Sequence, residues 1–128
     1  MKKLLGVLVD VENEEAKVVE LGGTLDEYYR VLNCNTIDIV RRRIGTYRFH
    51  IICDDEGLFT DHPKISAIDN LGDIMLVGNL FIVSGIVDDE GDLQSLTHEE
   101  SDYIMKRVQK MYTTNFPDGY PMLTQCEY

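Results

Sequence analysis

Apolar residues along the chain fall mostly into short alternating runs and only twice into helical spacing. Leu4 to Val11 reads as a strand, and Ala16 to Leu21 as its antiparallel mate across the Glu12–Glu15 corner. From Thr36 the alternation resumes. Ile37, Ile39 and Arg41 fall on one face, with Asp38, Val40 and Arg42 on the other. Gly45-Thr46 makes a turn, after which Tyr47 to Cys53 returns. The most apolar run is Leu80-Phe81-Ile82-Val83, continuing through Val87, which predicts either a strand covered on both faces or one with a bulge at Gly85. Gly78-Asn79 before it is a turn pair or kink, and Asp88-Asp89-Glu90-Gly91 ends it with turn chemistry. The same four residue types recur at Asp54-Asp55-Glu56-Gly57, again after an apolar strand.

Two helices announce themselves by their starts. Thr24-Leu25-Asp26-Glu27 and Thr97-His98-Glu99-Glu100 both place Thr at the N-cap and Glu three residues on, the spacing of a capping box. The first helix runs to about Leu32 and ends at Asn33, which tolerates a left-handed cap. The second carries Ile104, Val108 and Met111 on one stripe, with Met105 and Tyr112 beside it. These elements predict an α+β fold: a single small domain over residues 1–112, with a mostly antiparallel sheet of about five strands and two main helices. Residues 113–128 contain Pro117, Asp118-Gly119 and Pro121. They read as an irregular tail, with Phe116, Tyr120, Met122 and Leu123 to pack on the domain or on a partner. Thr60 to Gly72 reads as a loop with one short helical turn, long enough to be a candidate functional segment.

Charge narrows the partners. The formal net charge is -11, from 23 acids against 12 bases. That field opposes direct nucleic-acid binding and anionic membranes and favours a partner with a basic surface. Three widely spaced cysteines without a Cys-x-x-Cys read as buried or free thiols in a reducing cytoplasm. The opening MKKLLGVLVDV meets Asp10 and Glu12 too soon for a signal peptide, and no window approaches the ~20 apolar residues of a membrane span.

Candidate chemistry is sparse. Arg41-Arg42-Arg43 with Arg48 is the single basic concentration. On a strand Arg41 and Arg43 point one way and Arg42 the other, so the three cannot form one clamp. Pairing with carboxylates across the sheet is the simpler expectation, and a small anion site is the alternative. His50, His62 and His98 lack metal spacing. The acidic turns do not continue as calcium loops. No nucleophile, phosphate-loop or dinucleotide signature occurs. No catalytic residue, metal or cofactor is therefore assigned.

The stretch IICDDEGLFTDHPKISAIDNLGDIMLVGNLFIVSG, followed by SLTHEESDYIMKRV, resembles an uncharacterised family of short bacterial proteins. That domain-of-unknown-function family is met in gut Firmicutes and in their plasmids, conjugative elements and phages. The resemblance carries no reaction and implies a setting, mobile DNA in a cytoplasm. Many relatives carry Asn-Arg after the loop proline, where this chain has Lys64-Ile65-Ser66 after Pro63.

Two readings of function follow. One is a non-enzymatic accessory protein that binds another macromolecule, such as a host protein with a basic surface. Its sharper form has the carboxylates imitating DNA phosphates. The other is a small-ligand or nucleotide-binding domain using Arg41, Arg43, Arg48, His50 and His62 beside the 60–72 loop. A homodimer through an edge strand or the aromatic tail is a third outcome.

Overall fold

A computed structural model of the chain describes residues 3–22, 24–54, 64–112 and 119–128. Among them ten strands and two helices form two sheets, mostly antiparallel. The first sheet contains β1 (Leu4–Asp10), β2 (Glu15–Leu21), β3 (Ile37–Ile44), β4 (Tyr47–Asp54), β7 (Leu80–Ser84) and β10 (Cys126–Glu127). Its order is β10-β3-β4-β7-β1-β2, so β7 is inserted between two hairpins. All five residues of β7 are buried, as its unbroken apolar run requires. Leu80 and Ile82 face one core cluster, and Phe81 and Val83 face the other. On the Phe81 side lies α1 (Leu25–Leu32), packed through Tyr28 and Leu32. On the Ile82 side lie α2 (His98–Met105) and the second sheet.

That second sheet is the main departure from the sequence-based expectation of about five strands. β5 (Ile65–Ile68), β6 (Ile74–Val77), β8 (Val108–Met111) and β9 (Tyr120–Leu123) form it in the order β6-β5-β9-β8, with β5 and β9 parallel. Each is only four residues long, and β5 is irregular in register against β6. Strands so short carry too few residues to display a period. Their pairing partners also lie far away in sequence. Two expectations change in consequence. The interior loop from Thr60 becomes, over its described part, β5 and a tight turn; residues 60–63 lie outside the described residues. The chain after 118, read as irregular, supplies β9 and β10 to the two sheets.

The second helix is shorter than its apolar stripe predicts. Arg107 stops it: its carbonyl accepts the Thr124 backbone amide (2.8 Å) and the Thr124 hydroxyl (2.7 Å). Those bonds replace the one that residue 111 would make in a continuing helix. Val108 then pairs with Leu123, and a stripe expected on a helix continues as β8. Tertiary pairing here overrides the local period.

The helix starts hold as expected. Thr97 accepts the Glu100 amide (3.1 Å) while Glu100 accepts the Thr97 amide (2.9 Å), a complete capping box. Thr24 accepts the Glu27 amide, but the Glu27 carboxylate turns to Gly22 instead (2.8 Å), so that box is half made. Asn33 closes α1 with φ 54°. The Gly78-Asn79 kink carries the chain from the second sheet to the first. Asn79 is buried there, accepting the Val11 (2.9 Å) and Glu12 (3.4 Å) amides and donating to the Val31 carbonyl (3.4 Å).

The acidic turns prove to be hairpin parts. Asp69 Oδ1 accepts the amides of Leu71 and Asp73, and Asp88 Oδ1 those of Glu90 and Asp92, all at 2.9 Å. Gly72 (φ 85°) and Gly91 (φ 82°) take the left-handed position in each. The structural twin of residues 88–92 is therefore 69–73, both reading Asp-x-x-Gly-Asp. Most of the 54–57 copy lies outside the described residues.

Candidate functional site

The hairpin of β3 and β4 presents opposite chemistry on its two faces. Its register follows from the two-residue Gly45-Thr46 turn and sets Arg43 opposite Arg48 and Arg41 opposite His50. Directly opposed residues share a face, as do residues two apart, so all four lie on one side of the sheet. This is the side of α1, which covers the β7-β1-β2 region and leaves the arginines exposed. Among the described residues no ion pair reaches Arg41, Arg43 or Arg48, contrary to the expectation of cross-sheet pairing. Glu127, opposite Arg43 on β10, turns its carboxylate to the Asn70 amide (3.1 Å). His50 is half-buried and its Nδ1–H donates to the Ser84 carbonyl (2.9 Å). Arg42 points to the other side, as alternation predicts, with its guanidinium 4.7 Å from the Tyr128 ring centroid. His62 lies outside the described residues. The 64–72 segment belongs to the second sheet, on the face opposite the arginines, so the structure does not bring it to them.

On that opposite face lies a cavity of about 360 Å³ lined by Tyr47, Phe49, Thr97, Glu99, Glu100 and Tyr103. β4 supplies Tyr47 and Phe49 by alternation, and the first turns of α2 supply the rest. The rings are mutually fixed. Tyr47 meets Tyr103 edge-on at 5.1 Å, and Phe49 lies 6.3 Å from Tyr103. The Tyr103 hydroxyl accepts the Thr46 amide (2.7 Å) over Gly45, where any Cβ would collide with it. Arg107 stacks on the same ring, 3.6 Å from its centroid. Burial alone pushes the Tyr103 phenol up, but the Thr46 hydrogen bonds and the Arg107 charge outweigh it and bring it below the usual tyrosine range.

Glu100 spends one carboxylate oxygen on the Thr97 amide. Glu99 has no hydrogen-bond or ion-pair partner among the described residues, and it also lines a second cavity with Asp102, Tyr103, Lys106 and Arg107. Aromatic faces beside carboxylates suit an organic cation: the ring quadrupole and the formal charge act with the same sign. Sequence reasoning missed this site. Its signal was present in the alternating Tyr47 and Phe49, but Tyr103 joins them only through the packing of α2. No group of three His, Cys, Asp or Glu side chains among the described residues is placed to hold a metal ion. No helix of the described chain is long and apolar enough to cross a membrane.

Comparison with known proteins places the chain in a family. Residues 1–113 match the family described as domain of unknown function DUF3846, and the chain belongs to it. The match takes in both faces of the β3–β4 hairpin and all of α2, and stops before β9. No match was found among curated proteins or solved structures.

Proposed function

We propose that this member of the family is a non-enzymatic accessory protein that docks a basic protein partner. An arginine or lysine side chain of that partner seats in the Tyr47–Phe49–Tyr103 cavity against Glu99. The observation that carries the reading is the cavity itself: three fixed rings beside a carboxylate that nothing in the described chain engages. Arg107 on the Tyr103 ring is an internal precedent for guanidinium stacking at this place. The charge of -11 supports it at longer range, steering basic surfaces inward and hastening encounter. Three free thiols, two of them buried, fit a reducing cytoplasm. The resemblance to small proteins of mobile elements fits a role exerted by occupying another protein. Imitation of DNA is the less favoured form. Asp10, Glu27, Asp69, Asp88 and Glu100 are held by backbone amides, and so serve turns and caps.

Binding of a labelled peptide with arginines spaced by Gly-Ser, followed by fluorescence anisotropy, tests the reading. Tyr47→Ala keeps the net charge and removes an exposed ring, and should weaken binding about 2- to 30-fold, the span of one cation–π contact. Glu99→Gln should weaken it about tenfold, and Asp26→Asn, an equal charge change on α1 across the first sheet, should leave it unchanged. Equal losses for Glu99→Gln and Asp26→Asn, with none for Tyr47→Ala, would mean diffuse attraction and no seat.

A further inference from the structure

The cationic face of the β3–β4 hairpin is a second site, and we infer that it binds a compact, multiply charged oxyanion such as a phosphate or diphosphate group. Three observations converge on it. Arg43 and Arg48 are set directly opposite each other. Like charges at such a position are destabilising, so the fold gains nothing from them. The chain has 23 acids, yet none pairs with Arg41, Arg43 or Arg48 among the described residues. Even Glu127, brought beside Arg43 by register, bonds Asn70 instead. A local rule broken without a structural return is the mark of a functional position.

The shape of the patch selects the ligand. Two neighbouring cross-strand pairs span roughly 5 Å by 7 Å, from the spacing between strands and between alternate residues. Two opposed guanidinium groups present forked N–H donors to one group of oxygens. His50 sits at the corner opposite Arg41, its ring held by the Nδ1–H bond to Ser84 with Nε2 as the remaining nitrogen. Ile39 flanks the patch along β3. A compact anion lies wholly over the arginines. A polymer continues past them into the field of an acidic protein, on the scale of a Debye length of about 8 Å at physiological salt. The chemistry therefore fits a phosphate group on a small molecule and disfavours a nucleic-acid backbone.

This inference is independent of the aromatic cavity, which lies on the opposite face of β4. Isothermal titration calorimetry with inorganic pyrophosphate, at ionic strength held constant with sodium chloride, tests it on the full chain. The wild type should bind. Arg43→Gln should lose affinity about tenfold or more, as should the Arg41→Gln/Arg48→Gln double variant, while Arg30→Gln on α1 should bind as the wild type does. Unliganded Arg43→Gln should melt at the same temperature as the wild type or higher, because a repulsive pair has been relieved. A lower melting temperature would reveal a hidden partner for Arg43 and overturn the inference. Absence of binding by the wild type, or equal affinity in Arg43→Gln, would overturn it as well. A third arm titrates a single-stranded oligonucleotide. Tighter binding of that polymer than of pyrophosphate, lost in Arg43→Gln, would overturn the compact-anion assignment.

Discussion

Asn79 offers the sharpest test of how the β1–β2 turn is tied to the start of β7. It is 2% exposed, and its Oδ1 accepts the amide of Val11, a residue with no exposure at all. Replacing Asn79 by Leu keeps the approximate shape but leaves that amide buried and unpaired, which costs about 1–3 kcal/mol. The other two bonds add little. Glu12 is exposed, so its amide can turn to water, and the donation to Val31 is long at 3.4 Å. Asn79→Ala removes the same acceptor but opens room for a bridging water, so Leu should cost at least as much as Ala. With a urea slope of about 2 kcal/mol/M, the midpoint of Asn79→Leu should fall by roughly 0.5–1.5 M. Circular dichroism in urea measures it. If apolar burial were all that mattered at this kink, Leu would match or exceed the wild type. That result would refute the account of Asn79 as the polar staple between the β1–β2 turn and the start of β7.

Other consequences are checked in the same way. Ile82→Ala removes a fully buried side chain from the centre of the larger core cluster and should cost about 2–5 kcal/mol, read from the same unfolding curves. At the α2 cap, Thr97→Ser should be nearly neutral, while Thr97→Ala and Thr97→Val should each lose about 0.5–2 kcal/mol; a Val variant as stable as Ser would dissolve the capping box. Burial pushes the Cys126 thiol up to about 12 from a reference of 9.0, so the folded state favours the neutral form. Its contribution to stability is full below pH 9 and is lost as pH rises toward about 12. Alkaline unfolding of Cys126→Val should show a shallower decline over that window, and an unchanged slope would show that other groups control it.

Local chemistry was legible wherever it acts within a few residues. The Thr97 box, the Asn33 cap, the Gly45-Thr46 turn and the doubly covered β7 all follow from neighbouring side chains and were readable as such. Long-range pairing was not. β5 meets β9 across more than fifty residues, and Val108 becomes a strand residue because Leu123 is there to pair with it. The arginines form an intermediate case. The turn at Gly45-Thr46 already fixes Arg43 against Arg48, so their common face was available from sequence. That no carboxylate comes to meet them depends on where Glu127 is drawn, which only the fold decides. The aromatic cavity was hidden for the same reason: Tyr103 and Tyr47 are brought together by α2 crossing the end of the hairpin.

The claim on which the functional account rests is that a basic partner enters at the Tyr47–Phe49–Tyr103 cavity. Amide chemical-shift mapping on the isotope-labelled full chain, titrated with the arginine peptide, tests it most directly. The account predicts saturable shifts concentrated at residues 46–49 and 97–107, with α1, on the other face of the first sheet, undisturbed. Shifts spread evenly over the acidic surface, or centred on α1, would contradict it.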